Sequence, residues 1–139
     1  MYQIRKITPK DIEALKWLHE TVLPADVLPD FSVGYWWICE YIDKNVIIPV
    51  GFGGLRHLGF NMGYLNRSGV RFSHRGHGIQ KKLISVREKF ARTLGITKMI
   101  TDTSNNPASS NSLISKGYKL YTPEKPWGYS YTLYWTKKL

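Results

Sequence analysis

With 139 residues, 42% of them hydrophobic and 14% aromatic, the chain carries enough apolar material for one core and reads as a single domain over residues 1–139. A formal charge of +10 suits a polyanionic partner such as nucleic acid, an anionic membrane or a phosphorylated cofactor, without choosing among them. The lone Cys39 excludes an internal disulfide and cannot make a zinc site by itself. No segment reads as a membrane span or a secretory signal, so the expected address is the cytoplasm, with no membrane partner.

In chain order, "YQIRKIT" alternates as a strand does, and "TPKDIEALKWLHETVL" follows it as a helix. Thr8 suits the N-cap and Pro9 the first helical position, and Ile12, Leu15, Leu18 and Leu23 form the apolar side. "SVGYWWICEYI" reads as a second, aromatic-rich helix that holds Cys39 as a packing residue. "NVIIPVGFGGLRHLG" suits a strand pair with Pro49 at a turn or edge. "MGYLNRSGVRF" is a strand whose glycines mark a bulge or a close backbone approach.

The clearest helix is "IQKKLISVREKFARTLG". Ile79, Leu83, Val86, Phe90 and Leu94 keep one face apolar, the basic residues take the others, and Gly95 stops it. "ITKMITDT" is a strand, "NNPASSNSLISKG" a short helix, and "YKLY" and "WGYSYTLYWTKK" are closing strands. This succession describes a mixed α/β layer fold.

Between a strand and that best helix lies "SHRGHGIQ". Amides at a helix start have no partner within the helix, and the helix dipole adds partial positive charge there. Glycines let a phosphate approach the backbone, and Arg75 adds a cation. A plain glycine turn explains the stretch as well. The spacing is neither G-x-x-x-x-G-K-[ST] nor G-x-G-x-x-G, since Lys81 stands at the last position of the second. His74 and His77 have no accompanying cysteine or carboxylate cluster, so no metal is expected.

Taken together, "VRFSHRGHGIQKKLI" and "NNPASSNSLISKGYKL" resemble the GNAT superfamily of acyl-CoA-dependent N-acetyltransferases. Val70, Arg75, Gly76, Gly78 and Ile79 match the first block of that family. Asn106, Ser109, Gly117 and Tyr118 match the second at the family's spacing. The resemblance implies an α/β (α+β) fold: a GNAT-like mixed central sheet of about six to seven strands, with helices on both faces and the fourth and fifth strands splayed apart.

The resemblance further implies acetyl-CoA as co-substrate, without a metal. Backbone groups around Gly69, Val70 and Phe72 would pair with the pantetheine arm, and amides of Arg75, Gly76, His77, Gly78, Ile79 and Gln80 would surround the pyrophosphate. Asn106 and Ser109 would lie near the sulfur. Gln80 and Ser73 depart from the usual pattern. Where many members carry an acidic tyrosine this chain has Leu113, which leaves the neighbouring Ser112 as the candidate acid. The position of a carboxylate base is Thr101, and Asp102 beside it is expected to face the other way. Tyr64 is the candidate base, with Glu40 or a water as alternatives. Trp36, Trp37 and Glu40 are candidate acceptor-binding residues, although aromatic residues of this kind are also ordinary core. Trp127, Tyr129 and Tyr131 carry the same ambiguity.

The leading expectation is acetyl transfer to a primary amine of a small molecule or peptide, by direct attack in a ternary complex, in a monomer or homodimer. The positive charge disfavours polyamines and favours amines on neutral or anionic scaffolds. A nucleic-acid-binding or nucleic-acid-modifying protein on the same fold is possible but not favoured, because the basic residues cluster where the phosphates of CoA would lie. A CoA-binding member without catalysis is the other alternative.

Overall fold

In the computed structural model, which describes residues 1–139, Tyr2–Lys6 forms strand β1 at one edge of the sheet. Thr8 then donates its N–H to Asp11 Oδ2 at 2.8 Å, and a single 3-10 turn leads into helix α1, Ile12–Val22. Leu15 and Leu18 are fully buried against Phe31, Trp36, Ile38 and Phe52. Burial of each leucine contributes about 1.5–3 kcal/mol.

The stretch expected as a second helix is strand β2, Tyr35–Asp43. Its side chains alternate between two cores. Trp36 and Ile38 face α1, whereas Trp37 and Cys39 face the opposite layer. A strand buried on both faces is apolar at every position, and such a run cannot be told from a buried helix by periodicity. The expected strand pair that follows is one long strand, β3 (Val46–Gly59). Pro49 sits beside a register shift opposite Cys39 and Glu40, beyond the point where pairing with the next strand ends at Gly51.

Strand β4 (Met62–Val70) pairs antiparallel with β3, and helix α2 (Ile79–Thr93) leads on to β5 (Lys98–Thr103). Helix α3 (Pro107–Ser115), a two-residue strand β6 (Lys119–Leu120) and β7 (Leu133–Lys138) complete the chain. The closing strand is shorter than expected, and Trp127 to Tyr131 belong to the loop before it. The seven strands run in the order β1-β2-β3-β4-β5-β7-β6, and the β4–β5 pair is parallel. Helix α1 covers one face, while α2 and α3 contribute to the larger core on the other. This is the GNAT-like mixed sheet with helices on both faces. No helix is long and apolar enough to cross a membrane.

Candidate active site

Strands β4 and β5 pair only where Met62, Gly63 and Tyr64 meet Lys98, Met99 and Ile100. Beyond Tyr64 they diverge, and α3 follows the far strand. The gap holds a cleft of two lobes, each of about 400 Å³, which share Ser68, Gln80, Asn106, Ser109 and Ser112 as walls.

The first lobe is built largely from backbone. Gly76 and Gly78 have φ of +85° and +74°, a region that costs other residues strain, and a Cβ on either would meet nothing within 4 Å. The loop is thus left-handed at two points and open above both. Gly78 caps α2, and Ile79 anchors the first turn in the core, so the unpaired amides of that turn face the lobe. Gly69 borders the same lobe because Val22 lies beneath it, 2.6 Å from where a Cβ would stand.

Arg75 donates Nε to the Val70 carbonyl at 3.3 Å and lies over the Phe72 ring, whose side chain is exposed. The two histidines tie the loop to the sheet edge. His74 Nδ1 is 3.0 Å from the Tyr2 hydroxyl, and the His77 ring is 5.2 Å from the ring of Tyr2. Burial, then Arg71 and His77, hold His74 below its ordinary pKa.

Helix α3 closes the cleft from the other side. Asn106 is its N-cap and accepts the Ser109 N–H at 3.1 Å, so the asparagine of the second block also fixes the start of the helix. Ser109 and Ser112 face both lobes, whereas Leu113 is buried in the core and borders only the second.

The second lobe is built from side chains. Ile100 pairs with Tyr64, and Asp102, two residues on, emerges on the same side of β5. Asp102 Oδ2 accepts from the Tyr64 hydroxyl at 2.6 Å and from Trp127 Nε1 at 2.8 Å, while Oδ1 has no protein partner. The expectation that Asp102 faces away is corrected by this geometry: it is Thr101 that points into the sheet, donating to the Leu65 carbonyl at 2.8 Å. Burial, reinforced by Asp102, pushes the Tyr64 phenol well above its ordinary pKa.

Across the lobe, Arg67 Nη1 lies 3.0 Å from His19 Nε2 and donates to the Val27 carbonyl at 2.6 Å. His19 is 1% exposed, and burial, then Arg67, lower its pKa. A guanidinium only donates, so His19 Nε2 accepts this hydrogen bond. Arg87, expected on a solvent face, is 2% exposed and reaches under the sheet, where it donates to the carbonyls of Leu83, Gly54 and Asn66. Burial lowers it to about 10, so it stays charged at neutral pH.

The candidate residues thus divide. Gly69, Val70, Arg75, Gly76, Gly78 and Ile79 border the first lobe; Tyr64 borders the second, and Gln80, Asn106, Ser109 and Ser112 border both. Phe72 and His77 extend the loop without lining it. Trp36 and Trp37 are core, and Glu40 pairs with Arg5 at 2.8 Å; none of the three lines the cleft. Burial pushes the Cys39 thiol up to about 11, which leaves it inert. His19, Arg67 and Arg87 were not singled out from the sequence. The signal for two of them was present: His19 follows Leu15, and Arg87 follows Leu83, at the four-residue spacing of a buried stripe.

The model of the acetyltransferase (GNAT) family matches residues 3–113. The chain belongs to this family. Solved structures of low identity share the GNAT fold across nearly their whole length. A domain from Methanocaldococcus jannaschii is 19% identical with a TM-score of 0.77, covering 100% of this chain and 99% of its own. A GNAT superfamily phosphinothricin acetyltransferase from Sinorhizobium meliloti, solved in complex with AcCoA, is 15% identical with a TM-score of 0.77, covering 99% and 88%. The ribosomal-protein-S18-alanine N-acetyltransferase from Escherichia coli is 10% identical with a TM-score of 0.76, covering 99% and 94%. Among curated protein sequences none matches this chain.

Proposed function

We propose that residues 1–139 form one cytoplasmic N-acetyltransferase domain that moves an acetyl group from acetyl-CoA to a primary amine by direct attack in a ternary complex. The observation that carries this reading is the continuous cleft. It joins a backbone cradle at the start of α2 to a carboxylate at the β4–β5 divergence. The residues fit the cofactor: two left-handed glycines with open space above them, free helix amides, and Arg75 and Lys81 at the rim. Amides of Arg75 to Gln80 would hold the pyrophosphate, and the edge of Gly69 and Val70 that faces the gap the pantetheine arm, near Asn106 and Ser109. Acetyl-CoA, when bound, supplies an acetyl carbon whose bond to sulfur breaks as its bond to the amine nitrogen forms.

The chain's own groups manage the protons. Asp102 takes the proton of the incoming ammonium on Oδ1, the oxygen without a protein partner. Tyr64, held in its phenol form, orients that carboxylate rather than serving as the base. Ser112, at the junction of the lobes, relays a proton from solvent to the departing sulfur.

Calorimetry with acetyl-CoA and a thiol-release assay over an amine panel test the reading. Binding and turnover are expected, with Asp102→Asn losing about a hundredfold or more in kcat while still binding acetyl-CoA. Binding without turnover of any amine would instead support a CoA-binding protein without catalysis. Absence of acetyl-CoA binding overturns the reading altogether.

A further inference from the structure

The second lobe holds an arginine whose role the transfer of an acetyl group does not explain. Between the pairs Gly53–Ser68 and Leu55–Leu65, β4 carries one more residue than β3, so Asn66 and Arg67 oppose Gly54 alone. A bulge of this kind re-aims a side chain, and Arg67 borders the cleft. Its Nη1 is held by His19 and by the Val27 carbonyl, while Nε and Nη2 make no hydrogen bond to the protein. The nearest carboxylate is Asp26, at 4.0 Å and half exposed, beyond hydrogen-bond distance. A buried histidine that accepts from Arg67 thus helps to hold a cation at the cleft, and the second cation, Arg87, has no carboxylate partner at all. Asp102, which lines the same lobe, presents its one unpartnered oxygen.

A lobe of about 400 Å³ whose lining offers both a guanidinium and a carboxylate matches a zwitterion of modest size. We infer that the acceptor is a free amino acid, its carboxylate held by Arg67 and its ammonium turned toward Asp102. The guanidinium edge offers parallel donors suited to a carboxylate, a geometry an ammonium side chain would not reproduce. A peptide N-terminus carries no carboxylate so close to its amine and leaves Arg67 unused. Tyr129 at the mouth of the lobe is exposed, and supplies an aromatic surface for the amino acid's side chain. This inference rests on the acetyl-transfer reading for its chemistry but not for its binding geometry.

The test compares the common L-amino acids with their α-carboxamides. Two readouts are used: acetyl-CoA-dependent thiol release, and calorimetric binding to the CoA-loaded protein. At least one amino acid is expected to exceed its carboxamide by about ten- to hundredfold in kcat/KM and in affinity, as a charged hydrogen-bonded pair requires. Arg67→Gln is expected to bring that ratio close to one, with Arg67→Lys in between. Equal use of acids and carboxamides by the unmodified protein overturns the inference while leaving acetyl transfer intact, and this comparison does not depend on any variant folding. Carboxylate-selective binding without turnover sustains the inference and removes the enzyme reading. Neither binding nor turnover of any amino acid overturns it, as does an unchanged ratio in a folded Arg67→Gln.

Discussion

The two lobes of the cleft are made differently. The first is a run of consecutive backbone, Gly76 to Gln80, whose groups point at the lobe because of φ angles and a helix start. The second is assembled from Tyr64 and Arg67 on β4, Asp102 on β5, His19 on α1, Arg87 on α2 and Trp127 on a late loop. A backbone site depends on conformation and tolerates exchange of most side chains. A side-chain site depends on the identity of each member and on the packing that brings six distant positions together. Recognition of a shared co-substrate suits the first construction, and discrimination among acceptors suits the second.

The strongest way to break the contrast is at Arg87. Its guanidinium satisfies the carbonyls of Gly54 and Asn66 at the bulge, so it supports the second lobe from below. Arg87→Ala is expected to lose about 3 kcal/mol of stability through unpaired carbonyls and a cavity, read by urea denaturation. Arg87→Met, which restores volume without donors, should recover part of that loss. An unchanged midpoint in both would show that the bulge holds itself.

Gly78→Val probes the first lobe. A β-branched residue at φ +74° is strained by about 1–3 kcal/mol, and the cradle must shift to relieve it. The expected result is at least a tenfold loss in acetyl-CoA affinity by calorimetry with a far smaller change in the carboxylate-to-carboxamide ratio. A comparable change in both would mean that the lobes are not separable.

A smaller effect distinguishes them by pH. His19 has a folded pKa below the unfolded value, so the unfolded chain binds its proton first as pH falls. Its contribution is present above about 6.5 and is lost as pH drops through the folded value. Urea midpoints at pH 7.5 and 5.5 should therefore differ more for the unmodified protein than for His19→Gln. Equal differences would place the proton elsewhere. The first lobe offers a comparison in His74, whose pKa is lowered in the same direction but whose ring lies against Tyr2 and Tyr41 at the sheet edge.

Legibility in the sequence followed the same division. The glycine cradle could be read because its parts are adjacent, and Asn106 because a helix cap with a following proline marks its own position. The splay and the approximate number of strands came with the family resemblance. What could not be read depended on burial from two sides or on facing across the gap. Trp36 and Trp37 look like a helix because α1 and α2 cover opposite faces of one strand. Asp102 seemed misplaced by one residue because its partner, Tyr64, belongs to another strand, whose register against β5 is set by three residue pairs alone. Arg87 and His19 are polar residues inside apolar stripes, and composition counts them as surface until the stripe is traced turn by turn.

The brief parallel pairing of β4 with β5 has a mechanical consequence. Three residues of each strand join the β1–β4 half of the sheet to the β5–β7 half, and beyond them the inner edge of β4 from Leu65 to Val70 has no strand beside it. An extended molecule that bonds to this edge acts as a splint across the seam and stiffens both halves at once. Its binding energy adds to the work of pulling the halves apart, so the protein's resistance to heat should rise logarithmically with the concentration of free co-substrate.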